Sequence, residues 1–204
     1  IRDYCSGNLE TESPFFRYNP LNKPINLIEF DKDDVDEEEI SSKVSAESLN
    51  LYLLKNDKNH GFADGNNIGI DFALNNLTTD YLMLLNNDTT VDKDLIGPLL
   101  KTTESDPKIG LVGPKIYSYD RPSEIQTVGF SIKWSRGEIV SIGHTELDEG
   151  QYDKITNVDC VSGCLMLIKK ELILEMGKFL DHEYFLYYED MDSCVRTRKL
   201  GYEI

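Results

Sequence analysis

The sequence predicts an α/β protein whose mostly parallel sheet is flanked by helices and carries a small antiparallel element. Two observations predict this class. From Leu51 onward, short apolar runs alternate with segments whose apolar residues recur at helical spacing, which is typical of a parallel sheet covered on both faces. After Ser118 the alternation ends, and EIQTVGFSIKWSRGEIVSIG shows the turn signals of antiparallel strands.

The first fifty residues are the least regular part of the chain. IRDYC suggests the end of a helix, PINLIEF a strand, and DKDDVDEEEI at 31–40 a solvated acidic loop. This loop does not match an EF-hand, because Asp36 and Ser42 stand where a calcium loop needs glycine and glutamate. We therefore interpret 1–50 as an irregular segment of a single domain that spans 1–204.

Three strands and two helices alternate in the next part of the chain. The strand motifs are LYLLK, YLMLLNND and IGLVGPKIY. One helix is predicted in GFADGNNIGIDFALNNL, where Ile68, Phe72, Ala73 and Leu77 fall at helical spacing. The other is predicted in DKDLIGPLLKTTESD, where Gly97 and Pro98 indicate a kink or an early end.

The last part of the chain contains a strand, VDCVSGCLMLI, a short helix, KKELILEMG, an aromatic run, FLDHEYFLYY, and a final helix, EDMDSCVRTRKLG. Within a strand, Cys160 and Cys164 would lie about 13 Å apart, too far for a disulfide. We interpret both as small core residues. A zinc site is the minority interpretation, because one C-x3-C pair without a second pair is weak support.

Charge and hydropathy exclude several classes of function. Lys plus Arg number 21 and Asp plus Glu number 37, so the net charge is −16, which repels nucleic acid and anionic membranes. No apolar run approaches the ~20 residues that span a bilayer, and the first residues lack a signal-peptide pattern. We expect a cytoplasmic chain, placed at the inner face of the membrane only through a longer parent protein.

The first candidate site is the abrupt end of the strand YLMLLNND. Asn86, Asn87 and Asp88 stand at its carboxyl end, where ligands collect in α/β sheets. A carboxylate there can hold Mg²⁺ or Mn²⁺ together with phosphate oxygens. The alternative is that these residues only form a turn or cap the next helix. The spacing alone does not separate the two interpretations.

The second candidate site is the turn GFADGNN. Gly61 and Gly65 permit close approach of the backbone, and amides at the start of the following helix could meet a phosphate or a sugar hydroxyl. The motif is neither a dinucleotide fingerprint nor a P-loop. Taken alone, it favours a tight turn between a strand and a helix.

The third candidate site is YYEDMD, where Glu189, Asp190 and Asp192 crowd the start of a helix. Acidic residues favour helix amino termini, and Asp192 can pair with Arg196 one turn on, so a structural role is the first interpretation. The functional interpretation is a general base beside an aromatic wall. Trp134, the single tryptophan, could stack on a sugar, although one indole in a strand is more often part of the core.

Five motifs in sequence order connect these candidates: NHGFADGNNIGI, DYLMLLNNDTTV, IGLVGPKIY, VSGCLMLI and FLYYEDMDSCVRTRKLGY. Together they resemble the family 2 glycosyltransferases of the GT-A fold, and especially the rhamnosyltransferase-like members. The resemblance covers Leu51 to Ile204. Five collinear motifs are much more specific than any one of them.

The resemblance implies an inverting glycosyltransferase of polysaccharide biosynthesis. Such an enzyme moves a sugar, here suggested to be rhamnose, from a nucleoside diphosphate donor to a hydroxyl of a glycan or lipid-linked acceptor. It implies a divalent cation, Mg²⁺ or Mn²⁺, held by Asp88 in a D-x-D type motif whose first acidic position is Asn86 here. It also implies Asp190 as the catalytic base, with Glu189 and Asp192 as supporting or acceptor-orienting groups. The residues implied to lie along the donor are Gly61, Gly65, Asn66, Asn67, Asn86, Asn87 and Gly163.

Two departures from the family pattern bear on activity. Nothing before Leu51 matches the usual first strand and nucleotide-binding turn. In the family a histidine often follows the last motif, and the sequence ends at Ile204, before that position. We therefore expect a truncated domain with an exposed sheet edge, which favours a homodimer. A non-catalytic domain that has lost donor binding remains the alternative. A nucleotidyltransferase is disfavoured, because no basic, glycine-rich phosphate loop is visible.

Overall fold

The computed structural model describes residues 1–9, 24–31 and 50–204. Except for Asp31, the acidic loop predicted at 31–40 lies outside these ranges. The chain divides into two compact units. One comprises Ile1–Asn59 and Asp71–Thr78, and the other comprises His60–Ile70 and Thr79–Ile204.

The described residues form five helices and nine strands, and the mixed α/β class is confirmed. The helices are α1 (Arg2–Ser6), α2 (Gly61–Asn76), α3 (Ile96–Ser105), α4 (Lys170–Met176) and α5 (Glu189–Lys199). The strands are β1 (Asn26–Asp31), β2 (Asn50–Lys55), β3 (Tyr81–Leu85), β4 (Leu111–Val112), β5 (Ile116–Tyr117), β6 (Ile125–Thr127), β7 (Phe130–Lys133), β8 (Glu138–Ser141) and β9 (Leu165–Lys169).

In the first unit, the two predicted strands pair in parallel. β1 lies beside β2, with Asn26 opposite Asn50 and Asp31 opposite Lys55. Ile28 and Phe30 are buried between this pair and the part of α2 that belongs to the unit. The ring of Phe72 lies 5.4 Å from that of Phe30, centroid to centroid. The helical spacing that placed Phe72 on the inner face of α2 is therefore confirmed.

The central sheet of the second unit differs from the prediction of a mostly parallel sheet. Its strand order is β3-β9-β4, and β9 runs antiparallel to both neighbours. β3 and β4 therefore share one direction and are joined through α3, which is the crossover that the alternating pattern predicted. The chain returns later and places β9 between them, so the contacts become antiparallel. Sequence periodicity reports the crossover but not the later insertion of a strand.

Two local predictions are also corrected. The kink expected at Gly97 and Pro98 does not form, because α3 begins at Ile96 and Pro98 lies in its first turn, where backbone N–H groups have no intrahelical partner. The strand expected over VDCVSGCLMLI forms only from Leu165 onward. A turn at Gly163 and Cys164 precedes it.

Most other expectations hold. β7 and β8 form the predicted antiparallel hairpin. Cys160 and Cys164 are free thiols, and Cys160 is buried, as expected for a small core residue. Cys164, which was expected to be a core residue as well, is only partly buried, because it lies in the turn before β9. Within the described ranges, no helix is long and apolar enough to cross a membrane.

Candidate active site

The end of β3 and the start of β9 meet at one edge of the central sheet. Leu85 lies opposite Leu165 in the antiparallel register, so the residues after β3 face the residues before β9. The backbone N–H of Asn86 donates to the carbonyl oxygen of Cys164 at 3.0 Å. The Thr89 hydroxyl donates to the carbonyl oxygen of Asn86 at 2.8 Å. The loop that contains Asp88 is thereby held against the Gly163–Cys164 turn.

Asp88 is exposed at the tip of this loop, in a turn with Asn87. Burial raises the pKa of the Cys164 thiol, and the negative charge of Asp88 raises it further. Asp88 lies two residues after Asn86, whose N–H is bonded to the Cys164 carbonyl oxygen. The structure therefore presents an exposed carboxylate beside the turn that precedes β9.

Asp190 also contacts this turn. The backbone N–H of Gly163 donates to Asp190 Oδ2 at 2.9 Å, and the N–H of Met191 donates to Oδ1 at 2.8 Å. A Cβ atom added to Gly163 would lie 3.2 Å from the Cβ of Asp190. This distance is tighter than ordinary carbon contacts, so the glycine permits the close approach. Asp190 stands in the first turn of α5, where the helix dipole favours a carboxylate.

The predicted residues of the first and third candidate sites therefore meet through the Gly163–Cys164 turn. Asn86 and Asp88 reach it from the end of β3, and Asp190 reaches it from the start of α5. The sequence placed Asp88 and Asp190 in separate motifs about a hundred residues apart, and the inserted strand β9 brings them to one edge.

Glu189 is buried next to Asp190, with 6% of its surface exposed. Among the described residues, its Oε2 atom has no hydrogen-bond partner. Burial raises the pKa of the Glu189 carboxyl, and the neighbouring charge of Asp190 raises it further. A buried carboxylate without a full set of partners costs stability, which is a pattern more common at functional sites than elsewhere.

The Glu189→Gln variant tests this burial through the pH dependence of stability. Because the folded-state pKa is raised, the folded state binds more protons than the unfolded state at pH values between the two pKa values. The contribution of the protonated Glu189 carboxyl to the unfolding free energy is therefore fully present below its unfolded-state pKa, about 4.3. It is lost as pH rises through the folded-state pKa. We expect Glu189→Gln to become more stable relative to the unsubstituted chain as pH rises from 4 to 8. The difference between their unfolding free energies, measured in urea titrations, should therefore increase over this range.

Glu183→Gln is the matched control for this measurement, because Glu183 is exposed. The pH-dependent gain in unfolding free energy should be larger for Glu189→Gln than for this control. Equal gains for the two variants would contradict the raised pKa of Glu189.

At the start of α2, Gly61 lies against the aromatic segment, which we define as residues 184–188. Gly61 has a φ of 76°, and an added Cβ would lie 2.6 Å from the carbonyl oxygen of Phe185. The N–H of Phe62 donates to the same oxygen at 3.0 Å. Gly61 is therefore required by both its backbone conformation and its contact with Phe185. In the structure it positions the aromatic segment, and its contact with a donor stays a prediction.

Gly61→Ala should lower the unfolding free energy by about 1–3 kcal/mol, because alanine is strained at positive φ and its Cβ would meet a carbonyl oxygen. Gly65→Ala is the matched control. Gly65 lies inside α2, and a Cβ there meets nothing within 4 Å. Alanine at that position should raise the unfolding free energy by about 0.5–1 kcal/mol. Equal effects of the two substitutions in urea unfolding would contradict the assigned contact.

Asn66 and Asn67, which were predicted to lie along the donor, bond to the chain itself. Asn66 Nδ2 donates to the Phe62 carbonyl oxygen at 2.8 Å within α2. Asn67 is buried, and its Nδ2 donates to the Leu180 carbonyl oxygen at 2.7 Å while its Oδ1 accepts from the Leu180 N–H at 3.3 Å. Asn67 therefore ties α2 to the chain ahead of the aromatic segment, a role that its position in the sequence did not indicate. Donor contacts of both side chains stay predictions.

The aromatic segment is more exposed than the wall that the sequence suggested. Tyr187 and Tyr188 both have positive φ, 71° and 68°, and their side chains are 71% and 63% exposed. Such backbone conformations are unfavourable for tyrosine, by about 1–3 kcal/mol each, and they cluster at functional sites. Because tyrosine carries no preference for this conformation, the sequence held no signal of the strain.

The second unit also contains a cavity that the sequence analysis did not predict. Its volume is about 590 Å³, and none of the predicted site residues lines it. Lys115 lies in its wall, with Nζ 2.7 Å from Asp148 Oδ2 and 2.8 Å from Asp153 Oδ1. The Lys115 ammonium and the Tyr117 hydroxyl, which both bond to Asp148, hold the pKa of that carboxyl at about 2. Long-range ion pairs of this kind leave no local sequence motif.

A divalent cation at this site would need oxygen ligands from the protein and from the donor. Among residues 1–9, 24–31 and 50–204, no three His, Cys, Asp or Glu side chains form a metal-binding cluster. Mg²⁺, however, is usually held by one or two carboxylates together with substrate phosphates. The exposed carboxylate of Asp88 fits that donor set, with a bound diphosphate supplying the remaining oxygens.

Comparison with known proteins gives two matches. The sequence profile described as glycosyl transferase family 2 matches residues 30–176. The "Low-salt glycan biosynthesis hexosyltransferase Agl10" of Haloferax volcanii is 26% identical over an alignment of 153 residues that covers 73% of this chain and 47% of that protein. The chain thus spans about half the length of the curated relative that it matches.

The profile match can be placed on the structure. It begins within β1, nearer the amino terminus than the resemblance from Leu51 onward, and it ends with α4. It includes Asp88 and Gly163 but not Glu189 and Asp190. The assignment of those two acids therefore depends on the motif and on the contact between Asp190 and Gly163.

Proposed function

This chain belongs to glycosyltransferase family 2, and on that premise we propose that it transfers a sugar from a nucleoside diphosphate donor to a hydroxyl group of a glycan or lipid-linked acceptor, with inversion at the anomeric carbon. The observation that carries the proposal is the Gly163–Cys164 turn. The loop of Asp88 is bonded to the Cys164 carbonyl oxygen of this turn through Asn86, and Asp190 accepts the N–H of Gly163.

The Asp88 side is proposed to receive the donor. A chain of net charge −16 repels a diphosphate, so a cation between them is needed. A divalent cation bound at Asp88 would stabilise the charge that develops on the departing diphosphate. Asn86 and Asn87 flank Asp88, and their amides are proposed to contact the donor. Rhamnose as the donor sugar is supported by the subgroup resemblance alone.

Asp190 is proposed to act as the base. Its two oxygens each accept one backbone N–H, which orients the carboxylate and leaves a lone pair on each oxygen. One oxygen takes the proton of the acceptor hydroxyl as that hydroxyl oxygen forms a bond to the anomeric carbon. The bond from this carbon to the diphosphate oxygen breaks, and the electron pair leaves with the nucleoside diphosphate.

A panel of sugar nucleotides tests the proposal. The chain is incubated with Mn²⁺ and dTDP-rhamnose, UDP-glucose or GDP-mannose, with and without simple sugar acceptors, and the release of nucleoside diphosphate is followed by ³¹P NMR. We expect metal-dependent release from one donor of the panel, and a product of inverted anomeric configuration where an acceptor is used. Release that is unaffected by metal, or no release from any donor, would count against the proposed reaction.

A further inference from the structure

Trp134 does not lie in the core, contrary to the more common behaviour of an indole in a strand. It directly follows β7, in the turn that joins β7 to β8, and 72% of its surface is exposed. An apolar ring of this size in contact with water is a recurrent feature of recognition sites, because indole combines a large contact area with a fixed shape. The neighbourhood of Trp134 therefore needs a functional explanation.

A small pocket opens beside the indole. Its volume is about 230 Å³, below the roughly 300–1,000 Å³ of sites for drug-sized ligands, so it suits a single ring. The indole and two aliphatic side chains supply apolar surface, and charged groups complete the lining. The residues that line this pocket, called here the Trp134 pocket, are Ile132, Trp134, Asp159, Val195, Arg198 and Lys199.

Two of the charged groups of the pocket, Asp159 and Arg198, are held by backbone contacts. Asp159 Oδ2 accepts from the N–H of Ile132 at 2.7 Å, and Asp159 Oδ1 lies 3.7 Å from Arg198 Nη2. Arg198 Nη1 donates to the Val158 carbonyl oxygen at 2.9 Å. Asp159 and Arg198 thus have fixed positions before any ligand arrives, which lowers the entropic cost of binding.

The Trp134 pocket also differs from the rest of the chain in charge. Its lining has two cations, Arg198 and Lys199, against one carboxylate, Asp159. The chain as a whole carries a net charge of −16. A local excess of positive charge in such a protein favours a ligand that carries negative charge.

We propose that the Trp134 pocket binds one acid-bearing sugar ring of the acceptor glycan. The C–H face of the ring stacks on the indole, its hydroxyls meet Asp159, and its carboxylate meets Lys199 and Arg198. The link to an acceptor glycan rests on the proposed transfer reaction, whereas the binding of the sugar ring does not.

The position of the pocket determines which ring it would take. Val195 and Lys199, which both line the pocket, follow Asp190 by five and nine residues on α5, which corresponds to about 7.5 and 13.5 Å along the helix. The ring in the Trp134 pocket is therefore not the one whose hydroxyl reacts at Asp190. It belongs to a more distant part of the acceptor glycan, so the pocket would select acceptors by a feature remote from the new bond.

The intrinsic fluorescence of the chain tests the proposal directly, because Trp134 is its single tryptophan. We expect titration with sodium glucuronate to shift the emission to shorter wavelength, as water is displaced from the indole. Glucose should give the same shift at higher concentration, and inorganic phosphate should give none.

Lys199→Gln isolates the charge preference. Loss of a partly exposed ion pair weakens binding by about two- to fivefold, so the half-saturating concentration of glucuronate should rise by that factor while that of glucose is unchanged. Lys101→Gln, an equal change of charge on the exposed face of α3, is the matched control and should alter neither value.

Three results would overturn the proposal. No emission change with either sugar would exclude a sugar site, and an equal shift with phosphate would indicate a general anion site. Equal half-saturation for glucose and glucuronate would exclude the acid preference. Failure of the transfer reaction is distinguishable from these results, because Asp88→Asn and Asp190→Asn chains should respond to glucuronate as the unsubstituted chain does.

Discussion

Asp190→Asn lowers the rate of sugar transfer by about 10²–10⁴-fold, the range that a positioned general base typically contributes. An asparagine keeps the shape of the side chain but cannot take the proton of the acceptor hydroxyl. The measurement is kcat with the donor identified from the sugar nucleotide panel. Binding of the nucleoside diphosphate, followed by calorimetry, should change little, because the donor is assigned to Asp88.

Asp192→Asn is the control for this substitution. Asp192 stands in the same turn of α5, but its Oδ2 pairs with Arg196 Nε at 2.6 Å instead of contacting Gly163. Its loss should reduce kcat by less than about tenfold, since partly exposed ion pairs contribute little energy. Similar losses of kcat for both variants would contradict a base at Asp190 and indicate that α5 is simply destabilised.

Asp88→Asn weakens the binding of Mn²⁺ in the presence of a nucleoside diphosphate by more than about 100-fold. That figure is the upper end of the loss caused by removing a group that only orients a metal ligand. A neutral amide is a poor replacement for a carboxylate beside a divalent cation. The free Mn²⁺ concentration, measured by electron paramagnetic resonance in the presence of dTDP or UDP, reports the change.

Asp94→Asn provides the comparison, because Asp94 is an exposed aspartate six residues further on and its removal changes the net charge by the same amount. It should leave the binding of Mn²⁺ nearly unchanged. If both variants lose the ion equally, the effect comes from the overall negative charge, and Asp88 is not a ligand.

The sequence predicted most of the local elements but not their arrangement. Alternating apolar runs and helical spacing identified β2, α2, β3 and α3, because these patterns reflect burial of one face of each element. The strand order β3-β9-β4 could not be predicted from the sequence, because β9, which lies between β3 and β4, comes late in the chain. Pairing between distant segments leaves no periodic signal.

The sequence likewise identified some residues of the candidate site but not the contacts between them. Asp88 and Asp190 were identified because carboxylates at the end of a strand and at the start of a helix have recognisable settings. The contact of Asp190 with Gly163, the burial of Glu189 and the hydrogen bonds of Asn67 depend on tertiary packing. Glycine and asparagine serve many local roles, so their residue types alone did not distinguish a contact with a ligand from a contact within the chain.

Calorimetric titration of dTDP and UDP into the unsubstituted chain, once with Mn²⁺ and once with EDTA, tests the central claim most directly. The proposed donor site predicts saturable binding of one of these nucleotides at a single site in Mn²⁺, and no measurable binding in EDTA. Binding of equal affinity in EDTA, or no binding of either nucleotide in Mn²⁺, would contradict a metal-dependent donor site at Asp88.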